Sequence, residues 1–262
     1  MKSKLKKYIV GLLSAMPEEL GLTLRNLDNL SKKSYGSLEI FSGDLKFLQS
    51  KNIEIKIFAA WSGWGKVNAS YAVTRLICEA EKQNMNFDFI LFTGVAGAAC
   101  SSLNQWDIVL AKSFIQHDMD ARPLFKQYVI PGLNISSIKM NASLHNWALK
   151  SLKEHFPNKS QFGQIHSGLI ATGDKFVDNK MEMQKICKNF PELKAVEMEG
   201  GAVSQVAFME SIPLLVIRVI SDNADHSAGS SFEKFIVEYN NVSWNLISSL
   251  LINLNFLELK SL

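Results

Sequence analysis

The sequence is poor in cysteine, proline and net charge. It has three cysteines and six prolines in 262 residues, and its formal net charge is +3. Cys78, Cys100 and Cys187 lie far apart without metal-ligand spacing. We therefore expect free thiols in a reducing, cytoplasmic environment, with no disulfide framework and no metal site. The small net charge and scattered lysines also disfavour nucleic acid as a partner.

Long hydrophobic runs are absent too. No segment has the length and apolarity of a transmembrane helix, so we expect no membrane interaction. The N-terminus combines several lysines with a short apolar stretch at 8–16, which is the form of a short signal peptide. The same stretch has the pattern of a buried strand and passes directly into Pro17. We interpret it as the first strand of a sheet.

The rest of the chain alternates between strand and helix patterns. Apolar runs predict strands at 8–15, 37–42, 53–60, 87–93, 107–114, 165–172 and 214–220, with another ending near 196. Helical spacing predicts helices at 18–30, 67–82, 141–155, 179–189, 200–209 and 232–257. This order predicts one α/β domain over 1–262, a three-layer α/β/α arrangement around a mixed, mostly parallel, twisted sheet. The proline-containing segment 120–137 is a candidate substrate or interface loop.

Two polar stretches contain catalytic-type side chains. The first, A-V-E-M-E-G at 195–200, places Glu197 and Glu199 on either side of Met198. The second, R-V-I-S-D-N-A-D at 218–225, begins inside a buried apolar run and continues past its end. Its polar residues include Arg218, Ser221 and Asp222. Because ligands bind at the carboxyl ends of parallel strands, we expect both stretches to meet at one edge of the sheet.

Neither of two glycine-rich turns is a nucleotide-binding motif. The G-W-G-K turn at 63–66 lacks the spacer and the final Ser or Thr of a phosphate loop. The G-V-A-G turn at 94–97 lacks the third glycine of a dinucleotide fingerprint. Both turns allow close approach of backbone to a small ligand.

Together these residues resemble the purine nucleoside phosphorylase superfamily, and specifically the bacterial 5′-methylthioadenosine/S-adenosylhomocysteine nucleosidases. The resemblance covers nearly the whole chain, with markers at 11–20, 62–67, 93–98, 117–120, 172–177, 195–200 and 221–235. It implies a nucleoside phosphorylase-like fold, a small nucleoside substrate, a homodimer, no cofactor and a place in methionine salvage.

The resemblance also implies the chemistry, which is hydrolysis of the bond between adenine and a 5′-modified ribose. Asp222 matches the acid that protonates adenine N7, Glu19 the carboxylate that activates water, and Glu199 the carboxylate that holds the ribose hydroxyls. The other implied substrate contacts are Met16, Trp64, Val95, Phe176, Val177, Glu197, Met198, Arg218, Ser221 and Phe232. An acid and a base need opposite protonation states, so we expect the pKa of Asp222 to be raised.

Departures from the family pattern leave alternatives open. Trp64 replaces a smaller aliphatic residue beside the 5′ substituent, and Val95 replaces a serine. The substrate could thus be methylthioadenosine, adenosylhomocysteine, 5′-deoxyadenosine or aminodeoxyfutalosine. A phosphate-dependent phosphorylase is disfavoured, because Glu18 and Glu19 would repel phosphate. A nucleoside-binding protein without catalysis is the third possibility. His117 could contact the substrate or a partner subunit, but a structural histidine is the simpler interpretation, and Asp174 could be a turn-forming residue beside Gly173.

Overall fold

The computed structural model describes residues 6–45, 53–157, 161–224 and 228–254. The strands are β1 (Lys6–Ser14), β2 (Leu27–Tyr35), β3 (Leu38–Leu45), β4 (Ile53–Trp61), β5 (Phe89–Ala98), β6 (Ile108–Gln116), β7 (Ile138–Lys139), β8 (Ile165–Thr172), β9 (Leu193–Glu197) and β10 (Leu214–Asp222). The helices are α1 (Pro17–Leu20), α2 (Lys66–Lys82), α3 (Ala142–His155), α4 (Lys180–Asn189), α5 (Gly200–Met209) and α6 (Ala228–Leu251), with a 3-10 turn at Thr23–Asn26.

The strands form one ten-stranded mixed sheet, in the order β10-β6-β8-β9-β5-β1-β4-β3-β2 with β7 beside β6. Strand β10 also pairs with β5, so five strands close into a ring and the others extend from β5 as an open sheet. The parallel pairings are β1–β4, β1–β5, β5–β10, β6–β8 and β8–β9. These are half of the described pairings and include the longest central ones, and the others are antiparallel. The predicted mixed sheet is confirmed.

Helices cover both faces of the sheet, as the three-layer prediction requires. In β1, Val10 and Leu12 pack in the apolar cluster that includes residues of α3 and α6, whereas Leu13 packs in the cluster formed with α2 and α5. This division follows from the alternation of side chains along a strand. Burial of both clusters fixes the register of β1, since a slip by one residue would exchange its two faces.

The predicted helix at 18–30 is wrong. Helix α1 ends at Leu20, the 3-10 turn follows, and β2 begins at Leu27. The break lies at Gly21, where φ is 51° and an added Cβ would stand 2.6 Å from the Asn240 carbonyl oxygen of α6. The spacing of apolar residues that suggested a helix comes instead from Leu20 and Leu27, which are buried in one apolar cluster from two different elements.

Several strands run further than predicted, and two of these extensions, in β5 and β10, concern the polar edge. Strand β5 continues through the G-V-A-G turn to Ala98 because β10 pairs along it, with Arg218 opposite Gly94 and Asp222 opposite Gly97. Ser221 and Asp222 are therefore the last residues of β10 and do not belong to a loop. The closing helix begins earlier than predicted, at Ala228, and ends at Leu251, while residues 255–257 lie outside the described residues.

None of the described helices is long and apolar enough to cross a membrane. The three cysteines are free thiols.

Candidate active site

A cavity lies at the carboxyl ends of β1, β5, β9 and β10. Such a position at strand ends is typical of a small-molecule site. Twelve of the thirteen predicted site residues line it, namely Met16, Glu19, Trp64, Val95, Phe176, Val177, Glu197, Met198, Glu199, Ser221, Asp222 and Phe232. Arg218 lies behind this lining, where it is 1% exposed. Ala15, Ala96, Gly97, Lys175 and Val196 also line the cavity and were not predicted.

Glu19 is a buried carboxylate held by three backbone N–H groups. It lies in α1, directly after β1, and is 2% exposed. Its Oε2 accepts hydrogen bonds from the amides of Ala15 (2.8 Å) and Met16 (2.9 Å), and its Oε1 accepts one from Val95 (2.9 Å). Burial raises the pKa of Glu19, while the positive charge of Arg218 and the three N–H donors oppose that rise. The site thus holds one carboxylate in a fixed orientation, and the raised pKa makes it a better proton acceptor than a free carboxylate.

Gly94 makes room for this carboxylate. A Cβ added at Gly94 would lie 2.5 Å from Glu19 Oε1 and 2.9 Å from Arg218 Nη1. Both distances are too short for a real side chain, so Glu19 and Arg218 approach the β5 backbone only because residue 94 is glycine. The sequence marks this glycine only as part of a turn, because the two neighbours come from distant segments.

Glu197 and Arg218 form a buried ion pair. The Nη2 of Arg218 donates to Glu197 Oε2 at 2.8 Å, and both side chains are at most 3% exposed. The same oxygen accepts from the amide of Gly200 at 2.6 Å, and Oε1 accepts from the Thr172 hydroxyl. The guanidinium also stacks 4.0 Å above the Phe92 ring. Because Glu197 is occupied by protein donors, its main effect is to hold Arg218 and the start of α5.

Glu199 lies in a different environment although it is two residues away. It is the N-cap residue of α5, and its Oε1 accepts a hydrogen bond from the amide of Gly65 at 2.6 Å. Burial raises the pKa of Glu199, and the negative charge of Glu197 raises it further. A carboxyl that lines the cavity, resists ionisation and has few protein partners is suited to bind hydroxyl groups of a ligand.

Asp222 is paired with a hydroxyl that suits both of its protonation states. Ser221 Oγ lies 2.7 Å from Asp222 Oδ2 and 3.3 Å from the Ala96 carbonyl oxygen, and Asp222 Oδ1 accepts from the amide of Ala224 at 2.7 Å. A hydroxyl has one proton, so Ser221 donates to Asp222 when the carboxylate is ionised. When Asp222 is protonated, Ser221 can donate to Ala96 and accept from Asp222. The pair can therefore lose and regain a proton without moving.

Three aromatic rings form the apolar side of the cavity. The Phe232 ring lies edge-on to Trp64 with centroids 5.8 Å apart, and edge-on to Phe176 at 6.0 Å. Trp64 remains 48% exposed and therefore stands at the entrance. Val177 is buried beside these rings, and Met16 packs against the apolar cluster below. This side offers ring faces and methyl groups, which bind flat or apolar groups.

A polar ring outside the cavity fixes the loops that bear these residues. Lys66 Nζ donates to Asp118 at 2.7 Å, the amide of Asp174 donates to Asp118 at 2.9 Å, and the amide of Lys66 donates to Asp174 at 2.7 Å. Asp174 is thus more than a turn residue, since it binds the first amide of α2. The involvement of Lys66 and Asp118 was not predicted, because their three segments are far apart in sequence.

His117 packs against Gly173 and is not among the residues that line the cavity. Burial lowers its pKa, which favours the neutral form of the imidazole. This agrees with a structural histidine. Within the described ranges, no group of three or more His, Cys, Asp or Glu side chains is arranged to hold a metal ion.

Comparisons with known proteins identify similar chains over almost the full length. The family model of the phosphorylase superfamily matches residues 9–251. A 5′-methylthioadenosine/S-adenosylhomocysteine nucleosidase of Staphylococcus aureus (strain JH9) is 32% identical over 234 residues, which cover 87% of this chain and 92% of the relative.

Solved structures of related proteins are also similar to this chain over most of its length. The nucleosidase of Neisseria meningitidis in complex with methylthio-immucillin-A superposes with a TM-score of 0.82 at 28% identity, covering 94% of this chain and 99% of that one. The futalosine hydrolase of Helicobacter pylori strain 26695 superposes with a TM-score of 0.79 at 30% identity, covering 94% and 97%.

Proposed function

This chain belongs to the family of 5′-methylthioadenosine/S-adenosylhomocysteine nucleosidases within the phosphorylase superfamily, and we propose that Asp222 and Glu19 divide the work of its hydrolysis. The chain is an N-glycosyl hydrolase of 5′-substituted adenosines. The observation that supports the division of roles is the presence of two differently held carboxyl groups in one cavity. Asp222 is coupled to a hydroxyl, and Glu19 is fixed by three backbone donors.

Asp222 acts on the leaving group. As the bond between the sugar and adenine N9 breaks, its electron pair passes into the purine, and the proton of Asp222 moves to N7. Adenine then leaves as a neutral molecule, which is a much better leaving group than its anion. Ser221 follows the change, because its hydroxyl can donate to the Asp222 carboxylate that remains.

Glu19 acts on the water. Its carboxylate lines the cavity, and Arg218 lies directly behind it, with both groups close to the backbone of Gly94. Water held by this carboxylate loses a proton to Glu19 as its oxygen bonds to the anomeric carbon. The sum is one nucleoside and one water consumed, with adenine and the free 5′-substituted ribose released.

Glu199 holds the sugar in this proposal. Positive charge develops on the ribose ring as the bond breaks, and buried carboxyl groups nearby stabilise it. Burial and the negative charge of Glu197 raise the pKa of Glu199, and hydroxyl groups of bound ribose can donate to its carboxylate and favour the ionised form. Met198 and Val95 then pack beside the sugar, while Phe176 and Val177 cover adenine.

The cavity favours water over phosphate as the nucleophile. Of its lining residues, Lys175 alone is cationic, and its ammonium pairs with Glu182 at 2.6 Å. Arg218 lies behind the lining and is bound to Glu197. Phosphate would meet Glu19 and Glu199 without a compensating cation, so phosphorolysis is disfavoured.

Aminodeoxyfutalosine hydrolysis is the second candidate function. It is supported by the similarity to the futalosine hydrolase of Helicobacter pylori, which superposes about as well as the nucleosidases do. Both reactions need the same acid and base, so the choice depends on the 5′ side, where Met16, Trp64 and Phe232 stand.

The assembly that we propose is a homodimer. Four large apolar side chains are exposed on α2 and α5, which pack against each other, namely Val67, Tyr71, Phe208 and Met209. Exposed apolar groups on adjacent helices are typical of an interface. Sedimentation analysis of the wild type and of Val67→Glu tests for the dimer, and a monomeric wild type would contradict it.

We also propose a cytoplasmic location, supported by the free thiols, and a role in methionine salvage.

The function is tested by adenine release from methylthioadenosine, adenosylhomocysteine, 5′-deoxyadenosine and aminodeoxyfutalosine, each with and without phosphate. We expect release that does not depend on phosphate. Release only with phosphate would indicate a phosphorylase. No release from any of the four, despite tight binding, would support the binding protein.

A further inference from the structure

A layer of buried polar atoms lies next to Glu19 and outside the cavity lining. It consists of the hydroxyls of Thr93 on β5 and Tyr239 on α6, with the Nε and Nη1 of Arg218 on β10. None of these atoms meets a partner in ordinary hydrogen-bond geometry within the part of the chain that the structure describes, although the Thr93 hydroxyl is close enough to Tyr239 to lower the pKa of Tyr239. The three residues are at most 1% exposed. We refer to Thr93, Tyr239 and Arg218 as the polar layer.

Packing does not require the hydroxyl of Tyr239. Its ring stacks on Phe235 with centroids 5.7 Å apart and lies 6.4 Å from the ring of Trp106. A phenylalanine would make the same contacts without a buried polar atom. Because a buried polar group without a partner costs about 1–3 kcal/mol, three such residues from three elements point to a shared polar role.

The polar layer lies close to Glu19, because a Cβ at Gly94, the residue after Thr93, would stand 2.5 Å from Glu19 Oε1 and 2.9 Å from Arg218 Nη1. Burial raises the pKa of Tyr239 most, the neighbouring Thr93 hydroxyl opposes that rise, and the charges of Glu19 and Arg218 also act on it. Tyr239 is therefore a neutral hydroxyl and a potential donor throughout the working pH range. Buried groups of this kind are commonly connected by one internal water, which both donates and accepts.

We propose that Tyr239 and Thr93 are positioning residues, whose hydroxyls, directly or across one internal water, donate towards Glu19 and hold Arg218 beside it. This inference rests on the proposed function, since it assigns the polar layer to the base of that reaction. Its consequence is that Glu19 stays ionised and correctly oriented although it is buried.

The direction of the effect follows from the groups around Glu19. Arg218 on β10 and the backbone donors favour its ionised form, whereas Glu199 at the start of α5 and burial itself disfavour it. The hydroxyls of Tyr239 on α6 and Thr93 on β5 also favour the ionised form of Glu19, since they donate towards it. Loss of one donor therefore makes Glu19 harder to ionise, and the acid limb of kcat/KM moves to higher pH.

The test uses Tyr239→Phe, Thr93→Val and the double variant. For each single variant we expect kcat at neutral pH to fall about three- to tenfold, with KM little changed and the acid limb moved up by about half to one pH unit. The double variant should lose less than the product of the single losses, because the two hydroxyls share one network.

Tyr8→Phe is the matched control. Tyr8 is also a buried tyrosine, and its hydroxyl donates to the Leu254 carbonyl oxygen at 3.0 Å. Its loss should lower the melting temperature without moving the pH profile. An unchanged acid limb in both Tyr239→Phe and Thr93→Val, or an equal shift in Tyr8→Phe, would overturn the inference.

A second measurement does not depend on activity. If Tyr239 stabilises ionised Glu19, the loss of melting temperature in Tyr239→Phe should grow as pH rises and Glu19 ionises. In Tyr8→Phe the loss should be constant with pH. A pH-independent loss in Tyr239→Phe would refute the polar layer. An inactive wild type would refute the proposed function and leave this measurement decisive for the polar layer.

Discussion

The floor of the cavity and its mouth are built in different ways. The floor consists of Arg218 and of four carboxylates, those of Glu19, Glu197, Glu199 and Asp222. Each carboxylate accepts at least one hydrogen bond from a backbone N–H group at a strand end, a helix start or a loop. The mouth consists of Trp64, Phe176 and Phe232, and the ring of Phe232 contacts the other two edge-on.

This difference separates chemistry from specificity. The floor is tied to the backbone of the sheet, so its geometry changes only if the fold changes. The mouth is made of side chains on three separate segments, two loops and α6, and a single substitution can reshape it. The same hydrolytic floor can therefore serve different 5′ substituents, which agrees with the similarity to both nucleosidases and a futalosine hydrolase.

The largest effect is expected from Asp222→Asn. The amide has nearly the same shape but cannot donate a proton to adenine, so kcat should fall by at least about 100-fold. Binding of the substrate, measured by calorimetry, should change little. Asp120→Asn is the control, because Asp120 is an exposed carboxylate paired with Arg122. Near-normal turnover by Asp222→Asn would remove Asp222 as the acid.

A second large effect is expected from Gly94→Ala. The new methyl group must displace Glu19 or Arg218, and a displacement of about 1 Å at the reacting groups can cost about 100-fold in rate. Steady-state adenine release measures the loss. In Gly229→Ala the added methyl meets no atom of the described residues within 4 Å, so this control should keep full activity. If Gly94→Ala is as active as the control, Glu19 and Arg218 are not held rigidly against Gly94.

A moderate effect is expected from Trp64→Leu, which alters the mouth alone. The rates of adenine release from nucleosides with different 5′ substituents should change relative to one another by about tenfold, in favour of longer substituents. The pH profile should stay as in the wild type. The four nucleosides of the functional assay provide the measurement. An equal change for all four would show that Trp64 affects the floor and that the two regions are not independent.

The smallest effect concerns stability. The folded protein raises the pKa of Glu199, so it binds a proton there more tightly than the unfolded chain does. This contribution to stability is complete below the unfolded pKa and is lost as pH rises through the folded pKa. Glu199→Gln removes this pH dependence of stability, so the substitution should raise the melting temperature more at pH 9 than at pH 5. A larger gain at pH 5 would contradict the direction of the shift.

The sequence predicts helices and strands best where glycine or polar residues mark their ends. The strand at 165–172 and the helix at 200–209 are predicted to the residue, because each is bounded by glycine or a change of polarity. The helix predicted at 18–30 fails because Gly21 turns the chain against α6, and this contact is not visible in the local pattern.

The cavity too could be predicted only where local motifs determine it. Residues in ordered motifs could be named from sequence, and twelve of them line one cavity. Relations between distant segments could not, such as Gly94 with Glu19, or Lys66 with Asp118 and Asp174. Tyr239 has the pattern of a core aromatic residue, and only the burial of its hydroxyl beside Thr93 and Arg218 distinguishes it.

The most direct test of the floor as a hydrolytic centre follows the oxygen atom that reaches the sugar. Purified protein is given methylthioadenosine in ¹⁸O-labelled water with phosphate present, and the products are analysed by mass spectrometry. The account predicts unlabelled adenine and methylthioribose with one ¹⁸O atom, in amounts that do not depend on phosphate. A sugar 1-phosphate as the main product would contradict it.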